Sequence, residues 1–254
     1  MELSDKVAVV TGGLRGIGKG ISLALAKEGS NIAIIDRKDD SVANQTVQDI
    51  KDMGRFCKAY YETVTDYDQM VRTFSAIIDE FGKIDVLVNN AGRASSIDFV
   101  RDVRIKEWHN VLNVNLNGVF YCSKAVLDHM RSRKTGCIIN ISSVIGSGYG
   151  SHAGASSYSA SKAAVNALTR VLAREEARNG IRVNAVAPGY IQTEILEKII
   201  ETQGERFLET IPLMRYGLPE EIGYLVVFLV SDKAKYITGQ IIHINGGMYY
   251  IKSL

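Results

Sequence analysis

The chain has 254 residues, 46% of them hydrophobic and 23% charged, with 30 Lys and Arg against 28 Asp and Glu for a net charge of +2. These are the proportions of an ordinary globular protein, and they exclude a disordered or collagen-like chain. Both signs of charge are spread along the sequence with no basic field for phosphate neutralisation, so small-molecule chemistry is expected and nucleic-acid binding is not. The longest apolar run, Tyr224 to Val230, falls far short of the roughly 18 residues that span a bilayer, so no membrane segment is expected. The first residues, Met1 to Lys6, carry no basic region followed by a long apolar one, and a cytoplasmic location is expected. With three prolines and no Ser/Pro-rich linker, one domain over residues 1–254 is expected. Cys57, Cys122 and Cys137 lack CxxC spacing, which makes them small buried hydrophobes and predicts no metal site.

In chain order, Val7 to Val10 reads as a strand that ends in Thr11-Gly12-Gly13. Ile17, Ile21, Ala24 and Leu25 then recur at helical spacing until Gly29. Asn31 to Asp36 and Phe56 to Tyr61 read as the second and third strands. Val71, Phe74, Ile78 and Phe81 step by three, four and three, predicting a helix capped by Asp66 and ended by Gly82. Further strands are predicted at Ile84–Asn89, Cys137–Ser142, Ile181–Ala187 and Gln240–Ile244, with long helical stretches at Ile105–Arg131 and Ser157–Arg178. Most of these strands are continuous apolar runs, as in a parallel sheet covered by helices on both faces. The fold class is therefore α/β and doubly wound, with seven strands.

Between the first strand and the first helix lies Thr11-Gly12-Gly13-Leu14-Arg15-Gly16-Ile17-Gly18. Glycines there permit a tight turn and close approach of backbone N–H groups to a pyrophosphate at a helix N-terminus, the requirement of a dinucleotide site. Asp36 ends the second strand 24 residues after Gly12, close to the spacing at which a carboxylate accepts from the adenosine ribose hydroxyls. That favours NAD over NADP, because a 2′-phosphate would meet like charge; Arg15, Arg37 and Lys38 are the groups that could neutralise one.

Asn89-Asn90-Ala91-Gly92 follows the fourth strand, Asn115 lies within the next helix, Ser142-Ser143 ends the fifth strand, and Tyr158-Ser159-Ala160-Ser161-Lys162 opens the following helix. Together with the glycine loop, in this order, these motifs make the chain resemble the short-chain dehydrogenase/reductase family in its one-domain form of about 250 residues. The resemblance runs from Lys6 to Gly247 and includes Arg182 to Gly189 and Thr238 to Gly247. It implies a Rossmann fold with strand order 3-2-1-4-5-6-7 and assembly as a homotetramer.

Carried onto matching positions, the resemblance makes Tyr158 the acid/base, Lys162 its electrostatic partner and a ribose ligand, Ser143 the clamp on the substrate oxygen, and Asn115 a relay element. It assigns cofactor contacts to Gly12, Arg15, Gly16, Ile17, Gly18, Asp36, Val64, Asn89, Ala91, Gly92, Pro188 and Gly189, with Ile191 and Thr193 at the nicotinamide carboxamide. Base character for a tyrosine near pH 7 needs roughly 3 to 4 kcal/mol, which one ammonium at about 4 Å supplies at an effective dielectric of about 20. Two features depart from the family pattern. Thr63-Val64 stands where an Asp before a Val commonly contacts adenine, and 15 residues separate Ser143 from Tyr158, the extra length lying in Gly146 to Gly154.

The implied substrate is a secondary alcohol or ketone, interconverted by hydride transfer. Tyr149, His152 and Tyr190 are candidates for its pocket, and 193–214 for a helical flap offering Ile195, Leu196, Ile199 and Phe207. Asp36 directs the expectation to an NAD-dependent polyol, sugar or hydroxysteroid dehydrogenase. The alternative is a 3-oxoacyl-[acyl-carrier-protein] reductase, for which Arg131, Arg133 and Lys134 would receive an acidic carrier. A nucleotide-sensing binding module would be expected to lack part of the Asn, Ser, Tyr and Lys set, which is complete here.

Overall fold

The structure is a computed structural model, and the residues it describes are 1–37, 40–148, 153–194, 196, 197, 200 and 205–248. Strands β1 (Val7–Thr11), β2 (Asn31–Asp36), β3 (Cys57–Tyr61), β4 (Val86–Asn89), β5 (Gly136–Ile141), β6 (Ile181–Pro188) and β7 (Ile241–Ile244) form one all-parallel sheet in the order β3-β2-β1-β4-β5-β6-β7. Register explains why the central strands are apolar throughout. Ala8, Ile32, Val86 and Cys137 form one row across the sheet, and Val9, Ala33, Leu87 and Ile138 form the next. The first row joins the core under one helical layer and the second the core under the other, so each residue of a central strand is buried whichever way it points. Each such Ile or Leu contributes roughly 1.5–3 kcal/mol by leaving water.

One layer contains α1 (Gly16–Lys27), α2 (Ser41–Asp52) and α7 (Pro219–Val230); the other contains α3 (Tyr67–Phe81), α5 (Gly118–Arg133) and α6 (Ser156–Glu176). Helices α1 and α7 cross with almost no side chain between them: a Cβ on Gly20 would lie 2.5 Å from the Pro219 backbone, and one on Gly223 2.7 Å from the Gly20 carbonyl. The apolar run Tyr224 to Val230 belongs to α7, and among the described residues no helix is long and apolar enough to cross a membrane.

Helix α3 has the expected ends, with Asp66 accepting from the Gln69 amide and Gly82 in the left-handed region at φ 79°. Its buried face differs from the expected one. Met70, Phe74 and Ile77 are buried, while Val71 is 43% exposed, because the helix turns its Met70 row to the sheet. The predicted third strand starts at Cys57, not Phe56, which is exposed and stacks on Phe81 at 4.7 Å between ring centroids. The stretch read as one helix from Ile105 is α4 (Ile105–Leu112), a π-helical turn at Asn113–Asn117, and α5. A single extra residue in such a turn re-aims what it carries, and here it carries Asn115. All three cysteines are buried and free, and burial pushes their thiols up, to about 12 for Cys57 and Cys122 and about 11 for Cys137.

Candidate active site

Strand order places β1 between β2 and β4, so the loops at their carboxyl ends open on one crevice. Gly12, Ile35, Asp36, Arg37, Glu62, Val64, Ala91, Gly92 and Val114 are among the residues around a cleft there of about 510 Å³. The glycine loop is closed over by backbone. Gly12 has φ 62°, and a Cβ on Gly18 would lie 1.9 Å from the Gly12 carbonyl oxygen. Gly16, at φ 48°, leaves room for Thr193, whose Cγ2 would be 3.2 Å from an added Cβ. Ile17 packs on the core as the first turn of α1 begins.

Asn90 holds this loop. Its Nδ2 donates to the Thr11 and Gly12 carbonyls at 3.0 and 2.9 Å, and the Thr11 hydroxyl accepts from the Asn90 and Ala91 amides, both at 3.0 Å. Sequence reasoning passed over Thr11 and Asn90 as site-builders, although both sit inside the motifs it used. Asn89 turns inward: its Nδ2 donates to Ser123 and Asn140 in the core, and its Oδ1 is buried without a hydrogen-bond partner. Asp36 accepts from the Leu14 amide at 3.3 Å and the Arg37 amide at 2.7 Å, tying the end of β2 to the glycine loop.

These residues fit a dinucleotide. The start of α1 carries no side-chain cap and no acidic residue in its first turn, so its amide groups are directed at the cradle, and the buried Arg15 Nε has no hydrogen-bond partner. Thr63, at the position that departs from the family pattern, spends its hydroxyl on Thr65 at 2.8 Å. Val64 is pinned by the start of α5, where a Cβ on Gly118 would lie 2.6 Å away.

Tyr158 and Lys162 share one face of α6, with Nζ 5.7 Å from the Tyr158 ring centroid and donating to the Ile141 carbonyl at 2.8 Å. Ser143 meets Tyr158 because the turn that follows β5 is pressed onto α6. A Cβ on Gly146 would lie 2.6 Å from the Lys162 backbone, Asn166 donates to the Gly146 carbonyl at 3.0 Å, and the Ser142 hydroxyl donates to the Lys162 carbonyl at 3.3 Å. The start of the loop expected to be flexible is thus held, and its other described end is tied down where the Asp98 amide donates to the Gly154 carbonyl at 3.1 Å. Tyr149 and His152 lie outside the described residues, as do Lys38, Ile195, Ile199 and the side chain of Phe207.

Asn115 is fully buried in the π turn. Its Oδ1 accepts from the Arg93 amide at 2.7 Å, and its Nδ2 donates to the Arg93 carbonyl at 3.0 Å and to Ser161 at 3.1 Å. A Cβ on Gly92 would reach Asn115 Oδ1 at 3.7 Å and Lys162 Nζ at 3.9 Å, so Gly92 joins the cleft to the Tyr158 site.

The electrostatics correct one expectation. Burial raises the Tyr158 hydroxyl above its ordinary value, outweighing the hydrogen bond with Ser143, which acts to lower it. Burial also lowers the Lys162 ammonium to about 8. An ammonium that is itself desolvated and bonded to a carbonyl does not pull Tyr158 down, so the protein without cofactor holds the tyrosine protonated.

At the end of β6, Pro188 pairs with Ile244 in β7, and a Cβ on Gly189 would lie 2.9 Å from the Asn245 Cα, so both help hold the sheet edge together. Ile191 is buried against Gly217, with its side chain in the core, and Leu196, within the segment expected to form a flap, is also buried. Tyr190 lines a second cavity, of about 430 Å³, with Ile211, Leu213, Arg215 and Asn245. The basic cluster is spent internally: Arg131 pairs with buried Glu176, Arg133 with Asp85, and Lys134 donates to Asn179. Arg131 and Arg133 are thus held by carboxylates, while the exposed Lys134 keeps its charge, since Asn179 is neutral.

A seven-stranded parallel sheet with a glycine cradle at its switch point and a Ser, Tyr and Lys constellation beside it defines a dinucleotide-dependent oxidoreductase fold. A family model described as enoyl-(acyl carrier protein) reductase matches residues 12–249. The chain belongs to the short-chain dehydrogenase/reductase family. It is 43% identical over 244 residues to the 3-oxoacyl-[acyl-carrier-protein] reductase FabG of Staphylococcus aureus, covering 96% of this chain and 98% of that one. It is 41% identical to the protein of the same name from Thermotoga maritima over 248 residues, covering 98% and 99% of the two chains. Among solved structures it is similar to an NAD⁺-bound xylitol dehydrogenase, with a TM-score of 0.91, 31% identity, and 97% and 100% of the two chains covered. The two FabG relatives favour the reductase alternative over the polyol, sugar or hydroxysteroid dehydrogenase expected from Asp36.

Proposed function

We propose that the chain reduces the ketone of a 3-oxoacyl thioester to a secondary alcohol, drawing on NADH in preference to NADPH. The observation that carries the carbonyl chemistry is the Tyr158 hydroxyl hydrogen-bonded to Ser143, with Lys162 Nζ 5.7 Å from its ring centroid; the reductive direction rests on the names of the relatives. The names of the relatives at 41% and 43% identity support the 3-oxoacyl group. Asp36 and Glu62, two carboxylates on one cleft, support the choice of the dinucleotide without a 2′-phosphate.

The bound dinucleotide supplies the hydride. Ser143 donates to the carbonyl oxygen and stabilises the negative charge that grows there, while Tyr158 gives its proton to the same oxygen as the alcohol forms. Lys162, held over the Tyr158 ring by the Ile141 carbonyl, stabilises the phenolate that results. Asn115 positions Arg93 and Ser161; both of its amide protons are committed, so the relay implied by the resemblance has no side-chain donor here.

Arg131 and Arg133 are paired with Glu176 and Asp85, and the exposed charge of Lys134 by itself does not favour carrier protein over coenzyme A as the thiol. A second reading, oxidation of a polyol with NAD⁺, is favoured by Asp36 and by likeness to the xylitol dehydrogenase. The test is to assay acetoacetyl thioesters of coenzyme A and of carrier protein with NADH, beside xylitol and other polyols with NAD⁺, using Tyr158→Phe as the control. Thioester reduction that Tyr158→Phe loses by about a thousandfold is expected. Polyol oxidation with no thioester reduction would replace this reading with the second.

A further inference from the structure

Arg15 is the one arginine in the glycine loop from Thr11 to Gly18, and it stands where its charge could serve a ribose phosphate. The structure commits it elsewhere. Arg15 Nη2 forms an ion pair with Oδ2 of Asp40, the residue that caps the start of α2. The second oxygen of Asp40 accepts from the Ala43 amide at 3.1 Å, so one carboxylate caps a helix and holds an arginine together. The Arg15 hydrogen bond is the largest of the causes that hold the Asp40 carboxyl below its ordinary range, so the pair stays charged at neutral pH. The Arg15 side chain is 26% exposed and its Nε is buried without a partner, so the guanidinium is fixed by this pairing and not by a full set of hydrogen bonds.

We propose that Asp40 is a positioning residue for dinucleotide choice: by keeping Arg15 against the start of α2, it withholds from a 2′-phosphate a charge that would add to that of Arg37 against Asp36 and Glu62. This rests on the NADH preference stated above and adds a residue outside the cleft to its cause. Asp40 is not among the residues that line the cleft; it acts through Arg15. Glycine-loop spacing and the end of β2 do not reveal it, because it reads in sequence only as a helix cap.

The experiment compares NADH and NADPH affinities by nicotinamide fluorescence for the wild type, Asp40→Asn, Asp40→Ser and the double variant Asp40→Asn with Arg15→Met. Asn and Ser cap a helix about as well as Asp, so α2 is retained and only the charge is lost; circular dichroism and Tm confirm folding. The wild type is expected to bind NADH more tightly. Asp40→Asn and Asp40→Ser should tighten NADPH on the order of tenfold, with NADH within about twofold, as expected for one freed charge-assisted contact in a partly exposed place. The gain should shrink as salt is raised and vanish in the double variant. A wild type that prefers NADH, with folded Asp40 variants whose NADPH affinity is unchanged, overturns this inference alone. A wild type that prefers NADPH overturns it together with the cofactor choice on which it rests.

Discussion

Lys162 is a charged residue buried within the candidate site. It is 4% exposed, and its ammonium donates to the Ile141 carbonyl and lies near the Tyr158 ring. Its folded pKa, about 8, lies below its ordinary value of 10.5. Between those two values the unfolded chain binds a proton that the folded chain does not, so stability rises with pH across that window, and the penalty is complete below about 8. Lys162→Met is therefore expected to abolish turnover yet raise stability at pH 7 by on the order of 2 kcal/mol. The gain should shrink as the pH passes from about 8 to 10.5, as read by denaturant titrations of variant and wild type at both ends. Spacing in the sequence was enough to pair Tyr158 with Lys162, because helical geometry puts positions four apart on one face. The sign of the Tyr158 shift was not legible, because it depends on burial by Ser143, Gly146 and their neighbours, which are remote in the chain.

At the scale of elements, the glycine loop and the π turn do the positioning. Gly18 is the tightest point of the cradle, with no space for a methyl group between it and Gly12. Gly18→Ala is expected to push the start of α1 from β1, weakening NADH binding at least about a hundredfold and costing about 1–3 kcal/mol of stability. Fluorescence titration and thermal unfolding of the same sample measure both; unchanged NADH affinity would contradict the cradle assignment. The loop was legible in the sequence because glycines at a strand-to-helix junction have few other uses. The π turn at Asn113–Asn117 was not, since apolar periodicity runs through it with little change. Likewise the α3 stripe was placed one row off: Met70 and Val71 are both apolar, and only packing against the sheet decides which is buried.

For the whole molecule, charge is used at the end of the sheet away from the cleft. Asp85, 5% exposed, accepts from the Val7 amide and the Arg133 guanidinium at 2.9 and 2.8 Å and pairs with Lys83 at 3.2 Å, joining β1, β4 and α5. Burial by itself would raise this carboxyl, but Arg133, the Val7 amide and Lys83 together hold it below its ordinary value. A lowered carboxylate contributes stability that is present above its unfolded pKa and lost as pH falls through the folded one. Asp85→Asn is expected to cost about 2 kcal/mol at pH 7, discounted for the partial exposure of Arg133, with the deficit closing below about pH 4. Urea unfolding at both pH values checks it, and a deficit that persists in acid would point to packing instead of charge.

Fold class was legible in the sequence from apolar runs of fixed period, and strand order from the family resemblance; the cradle and the Ser, Tyr and Lys set were legible as candidates, because each rests on local spacing. Only the tertiary structure decided what long-range contacts control. It turned Asn89 inward, spent Arg131, Arg133 and Lys134 on internal partners, and bound Arg15 to Asp40. The reason is physical: a hydrogen bond or ion pair between residues distant in the chain has no periodicity, so it becomes readable only when folding has brought both partners to the same place.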